Sequence, residues 1–212
     1  MEGSKNMKNI ITIQHTQAVH HTTDMVGSWT DWELTDLGKA HAENIGRRLS
    51  AEFGDKPCKI YCSDLTRTKQ TAEPIARYLG LSVEYRKELR EHNIGADAIG
   101  KPRKWQSENQ SPIRTIDDKP FPDAESGRDV WNRMSAFCKE IVQSDDENII
   151  IVSHGFCLPM FFSVWLGWDI EMLSKCEFGG RAGGVSRMSE NADGIRIIQY
   201  LNDMSYAMED AR

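Results

Sequence analysis

The chain has 212 residues, 39% hydrophobic and 27% charged, which is enough apolar material for a full core without disulfide or metal staples. Its 26 basic and 32 acidic residues give a net charge of -6, with no block of Lys and Arg. Nucleic acid and anionic membranes are disfavoured as partners, since each needs a local excess of positive charge, and the composition excludes disorder and collagen-like structure.

In chain order, Asn9 to Ile13 is a short β-branched run that predicts a buried strand ending in Gln14-His15-Thr16. Residues 16 to 34 read as polar and irregular. Thr35 then caps a helix whose Leu37, Ala40, Ile45 and Leu49 recur at helical spacing. Lys59 to Cys62 predicts a second strand. It leads into a helix with Leu65, Thr68, Ala72, Ile75 and Leu79 on one face, stopped by Gly80. Ser82 to Tyr85 is a third strand. The stretch from Lys101 to Gly127 holds four of the seven prolines and reads as a long excursion outside the core.

Ser126 to Gln143 predicts another helix, carrying Val130, Met134, Phe137, Ile141 and Val142. Ile149 to Val152 is the clearest buried strand, and it ends at Ser153-His154-Gly155. A helix is expected from Phe156 towards Trp168, and Val185 to Met188 and Ile195 to Tyr200 pair around an Asn191 to Gly194 turn. Strands alternating with helices predict an α/β fold, a three-layer α/β/α sandwich on a mostly parallel sheet of about six strands. No repeat or boundary interrupts it, so one domain over residues 1–212 is expected, with the excursion at 101–127.

Five cysteines, an odd number with no CxxC pair, fit reduced thiols and a cytoplasmic protein. The opening MEGSKN has no apolar leader segment, and no window approaches the roughly 18 apolar residues of a membrane span.

Three strands end in polar clusters: Gln14-His15-Thr16, Ser63-Asp64-Leu65-Thr66-Arg67 and Ser153-His154-Gly155. In an open α/β sheet the carboxyl ends of the strands line one edge, so these clusters are expected to meet there. Two of them also open helices, whose free N–H groups and dipole favour an anion. Taken singly, each residue also has a structural reading: His15 and His154 as turn histidines, Arg67 as a misplaced cation in a first helical turn. Together they read as a small positive pocket for a phosphoryl group.

Further elements carry a family resemblance. Gly27-Ser28-Trp29-Thr30-Asp31 with Leu34-Thr35-Asp36-Leu37-Gly38, Ser63-Asp64-Leu65-Thr66-Arg67 with Gln70-Thr71-Ala72-Glu73, Leu89-Arg90-Glu91 with Gly95, Pro122-Asp123-Ala124-Glu125-Ser126, and Val152-Ser153-His154-Gly155 follow one another in order. With these the chain resembles the histidine phosphatase superfamily, phosphoglycerate mutase-like, branch 1. It departs from the family's Arg-His-Gly motif, having Gln14-His15-Thr16. The resemblance implies a phosphomonoesterase acting on a small phosphorylated metabolite through a phosphohistidine. His15 would be the nucleophile and Glu91 the general acid. Arg67 and His154 would hold the phosphoryl oxygens together with Gln14 and Gly155.

Gln14 brings no charge, so a low-turnover phospho-ligand binding protein is an alternative reading, as is a phosphoglycerate-type mutase. His20 and His21 either restore some positive charge or are exposed loop residues. Substrate contacts are expected from His21, Trp29, Arg103 and Arg114, with Lys101, Lys104 and Trp105 nearby. No metal and no cofactor are implied, the partner is a small phosphate monoester, and a homodimer is left open.

Overall fold

The computed structural model describes residues 7–209; residues 1–6, on which the absence of a leader was argued, and 210–212 lie outside the described residues. Its elements are β1 (Lys8–Gln14), α1 (Val19–Thr22), α2 (Asp36–Phe53), β2 (Lys59–Cys62), α3 (Thr66–Leu79), β3 (Val83–Tyr85), α4 (Arg103–Asn109), α5 (Gly127–Gln143), β4 (Asn148–Ser153), α6 (Cys157–Trp165), β5 (Val185–Glu190) and β6 (Arg196–Asp203). Short 3-10 turns lie at Lys87–Leu89, Ala96–Ala98 and Ile170–Ser174.

The strands form one six-stranded sheet in the order β3-β2-β4-β1-β5-β6. β1, β2, β3 and β4 are parallel, while β5 and β6 close the sheet as an antiparallel hairpin. Successive strand residues face opposite sides, and the core divides accordingly. Ile10, Ile149 and Ile151 pack with Val130, Met134, Phe137 and Phe161 of α5 and α6. Ile11, Ile13, Ile150 and Val152 pack with Ile45, Leu49, Ala72 and Ile75 of α2 and α3. This is the expected three-layer α/β/α sandwich, and the consecutive apolar residues of β4 are buried because both faces of the sheet are covered.

Local chemistry sets the helix ends. The Thr35 hydroxyl accepts from the Gly38 N–H at the start of α2, Ser126 and Asp129 form a capping box on α5, and Gly80 ends α3 in the left-handed conformation, φ 67°. Gly38 has a second role: a Cβ there would lie 2.0 Å from the Gln17 carbonyl oxygen. Only glycine lets α2 approach the loop after β1 so closely.

The structure corrects three expectations. Residues 16–34 include the one-turn helix α1, and the excursion at 101–127 includes α4. Neither showed a hydrophobic stripe, because α1 is four residues long and α4 buries none of its side chains. The helix after β4 ends at Trp165, short of Trp168, and the chain turns at Gly167 with φ 72°.

Candidate active site

β1 and β4 pair with Gln14 opposite Ser153, and β2 pairs with β4 with Cys62 opposite Val152. The next residues, His15, Ser63 and His154, therefore leave the sheet side by side at one edge. Backbone bonds seal the convergence: the His15 N–H donates to Ser153 O at 2.9 Å and the Ser63 N–H to Val152 O at 3.0 Å. The His15 and His154 ring centroids are 5.2 Å apart.

His15 is 2% exposed, and its Nδ1 lies 2.8 Å from the Thr16 carbonyl oxygen. An oxygen there can only accept, so the proton sits on Nδ1 and Nε2 carries the lone pair. Nε2 accepts a 3.2 Å bond from Arg67 Nε, while the two terminal nitrogens of Arg67 donate to Thr30 O at 2.7 Å and Ser28 O at 2.8 Å. Burial, then the Arg67 charge, push the His15 pKa well below its ordinary value, so the ring is neutral and nucleophilic. Burial also lowers Arg67 to about 10, which leaves it cationic at neutral pH. Thr16, standing at the third position of the motif, is accommodated: its hydroxyl donates to Gly38 O at 2.8 Å.

His154 Nε2 lies 2.8 Å from Ser63 Oγ, and its Nδ1 is buried without a partner. When the Ser63 hydroxyl donates to Nε2, Nδ1 carries the proton and is a donor. Burial and Arg67 hold this ring neutral too. The positive pocket expected from three residues thus draws its charge from Arg67, because both imidazoles are buried and protonation is unfavourable there.

Gln14 is 8% exposed, and its Oε1 has no hydrogen-bond partner. Its amide is wedged between glycines: a Cβ at Gly155 would lie 3.1 Å from its Nε2, and one at Gly180 2.4 Å from its Oε1. An acceptor cannot serve an anion, so only the NH2 end of Gln14 can contribute to phosphate binding. Gln14→Arg exchanges a neutral donor, worth about 1 kcal/mol, for a charge-assisted one worth about 1.5–3 kcal/mol. Titration calorimetry should show inorganic phosphate binding about tenfold tighter; equal or weaker binding would mean that the guanidinium does not seat between the two glycines.

Glu91 rests on a braced loop. Its carboxylate accepts from the His92 N–H at 2.8 Å and, more weakly, from the Phe156 N–H at 3.3 Å. Its backbone carbonyl accepts from Trp29 Nε1 at 2.7 Å, and Arg133 donates to the carbonyls of Glu88, Arg90 and Glu91 while pairing with Glu125. Trp29, expected to touch substrate, is therefore part of this brace, under the Arg90 guanidinium at 4.9 Å from its ring. Sequence reasoning overlooked Arg133. Its signal is an arginine within the apolar stripe of Val130, Met134 and Phe137, a position that demands a buried partner.

Asp31 was overlooked as well: its Oδ1 accepts from the Thr66 N–H at 2.6 Å, at the start of α3. Both helix starts expected to hold phosphate are thus served by the protein's own carboxylates, Asp31 at α3 and Glu91 at the turn into α6. Glu91, and after it Asp31, supply the negative charge that relieves the placement of Arg67 in a first helical turn.

His20, on α1, is 4% exposed, contrary to an exposed-loop reading, and its ring centroid lies 4.0 Å from that of His21. Burial and neighbouring positive groups lower His20 from its ordinary 6.5 to about 3 and His21 to about 4. They do not restore charge at neutral pH. His21 Nδ1 accepts from the Ala18 N–H at 3.2 Å, which leaves its Nε2 a donor facing the pocket. One ring nitrogen each from His15, His20 and His21 lie within 4.8 Å of one another, a spacing that suits a cation. The His21 tautomer and the Arg67 charge on His15 both oppose one.

These shifts make stability depend on pH. Unfolded, the histidines take up protons near 6.5; folded, His20 and His21 do so only near 3 and 4. Below pH 6.5 the unfolded chain binds more protons, so stability is full above that value and is lost as pH falls towards 4. Calorimetry should show the Tm falling between pH 7 and 5, above the range where carboxylates titrate, and falling less in His20→Asn. Equal slopes in the two proteins would contradict the assignment.

A pocket of about 310 Å³ collects Gln14, His15, His20, His21, Glu91, Arg103 and Gly155. Arg103 reaches it from α4. Arg114 does not; it lines a separate cavity with Arg128 and Glu171, and its N–H donates to Asp118.

An α/β/α sandwich with an activated, neutral histidine, a second histidine, an arginine and a carboxylate at the carboxyl edge of its parallel strands defines a phosphoryl-transfer class of site. The chain belongs to the histidine phosphatase superfamily, branch 1, whose family model matches residues 10–203.

Among its relatives, the phosphoglycerate mutase-like protein AT74 of Arabidopsis thaliana is 25% identical over 190 residues, which are 77% of this chain and 59% of AT74. The chain thus spans under two thirds of that relative's length. A protein described as putative phosphoserine phosphatase 2 of Hydrogenobacter thermophilus is 27% identical over 96% of this chain and 99% of its own. The solved structure of a mycobacterial glucosyl-3-phosphoglycerate phosphatase superposes with a TM-score of 0.74 at 20% identity, covering 92% of this chain and 99% of that one. Among the described residues no helix is long and apolar enough to cross a membrane.

Proposed function

We propose that the protein is a phosphomonoesterase that needs no metal and works through a phosphohistidine at His15, acting on a small phosphate ester in the cytoplasm. The observation that carries this is the His15 ring itself, held by the Thr16 carbonyl so that a neutral Nε2 lone pair faces the pocket beside Arg67. Incoming phosphoryl oxygens compete for the Arg67 N–H and release that lone pair. Nε2 then attacks phosphorus, the bond from phosphorus to the ester oxygen breaks, and the leaving oxygen takes a proton from the Glu91 carboxyl. The Nδ1–H to Thr16 bond stabilises the positive charge that develops on the ring. Arg67, His154 Nδ1 and the Gln14 NH2 receive the charge on the phosphoryl oxygens. The Glu91 carboxylate next takes a proton from water, whose oxygen attacks phosphorus, and the P–N bond breaks to restore His15.

The test is turnover of 4-nitrophenyl phosphate in EDTA by the wild type, His15→Ala and Gln14→Arg. Turnover should persist in EDTA and vanish in His15→Ala. Activity that EDTA removes and His15→Ala retains would sink the covalent route. An inactive wild type rescued by Gln14→Arg would instead favour the binding-protein reading.

A further inference from the structure

Of the basic residues in the excursion, Arg103 lines the phosphoryl pocket, while other residues of the same excursion face the space beside it. Beside the phosphoryl pocket lies a larger cavity of about 610 Å³, and the two share His92, Ile94, Gln106, Gly155 and Phe156. Its walls are chiefly Ile113, Ile116, Met160, Leu173 and Phe178, and the Phe156 ring, stacked on His92 at 4.6 Å, stands at the junction. Among the described residues no Lys or Arg lines it, and its charged members are Asp118 and Glu177, both acidic.

Resting on the reading of the neighbouring pocket as the phosphoryl site, we infer that this cavity receives the substrate's leaving group and selects an alkyl or aryl tail that carries no anionic group. The volume lies within the range of pockets for sizeable organic ligands, and a three-carbon tail would leave most of it unfilled. An anionic tail would lose its hydration, meet two carboxylates and find no counter-charge. An apolar tail gains by leaving water.

The test is titration calorimetry with three phosphonates that cannot be hydrolysed: methylphosphonate, 1-naphthylmethylphosphonate and 2-carboxyethylphosphonate. The naphthyl compound should bind about tenfold or more tighter than the methyl compound, and the carboxylated one no tighter than methyl. A naphthyl compound no better than methyl, or a carboxylated compound that binds best, overturns the inference. Ile113→Lys, on a side chain 52% exposed and so tolerant of change, should strengthen the carboxylated compound and weaken the naphthyl one. Turnover of the matching esters separates the two readings. Naphthyl selectivity without hydrolysis keeps the cavity assignment and removes the phosphatase, whereas hydrolysis without selectivity does the reverse.

Discussion

His15→Ala is expected to lower kcat by about a thousandfold or more, the order of loss seen when a covalent nucleophile is removed. Neither His154 nor His21 can replace it. His154 is engaged through Nε2 with Ser63, and the neutral tautomer of His21 presents a donor and no lone pair. His15, which lines the pocket, has its Nδ1 fixed by the Thr16 carbonyl and its Nε2 lone pair beside Arg67. Steady-state kinetics, with the Tm followed in parallel, checks this. A variant that retains folding and more than a few per cent of wild-type turnover would remove His15 from the chemistry.

Arg67→Lys is expected to lower kcat/KM by about 10²–10³-fold, the usual loss when a charged donor to the transition state is displaced. The arginine performs three tasks from full burial: its Nε meets His15 and its terminal nitrogens meet Ser28 O and Thr30 O. A lysine ammonium keeps the charge but lacks the planar fork that meets all three. Each buried acceptor left unpaired costs about 1–3 kcal/mol, so the Tm should fall as well. Kinetics near the wild type would show that charge alone suffices and that the fork is dispensable.

The parts of the fold with strong periodicity were readable in the chain. Consecutive β-branched residues at Ile149 to Val152 announce a strand covered on both faces, and the stripe through Ala72 and Ile75 announces α3. α1 and α4 escaped because a helix that is short, or that buries no side chains, leaves no such pattern. At the site, residues that follow strands were legible because sheet topology brings strand ends together, and these include His15, His154 and Ser63.

Arg67 was legible through its odd position in a first helical turn, and its compensating anions are Glu91 and Asp31. Charge states were not legible. The histidines looked like part of a positive pocket, and burial makes them neutral. Nor could the excursion's inward face be read, since which of its residues meet the cavity depends on the turn at Ile116 and Asp117 and the bend at Pro120. Its basic residues were the plausible contacts, and Arg114 points elsewhere.

The net charge of -6 is compatible with an anion site, because buried Arg67 and the pocket-lining Arg103 supply local positive charge in an otherwise acidic protein.

The proposed route requires a phosphoryl group carried by His15 Nε2. Rapid quenching into alkali during turnover of a phosphate ester in EDTA, followed by peptide mass spectrometry, tests it directly. Acid-labile, alkali-stable phosphate on the peptide containing His15, absent from His15→Ala, is the result expected. Steady turnover with no phosphohistidine, or with phosphate mapped to another residue, would contradict it.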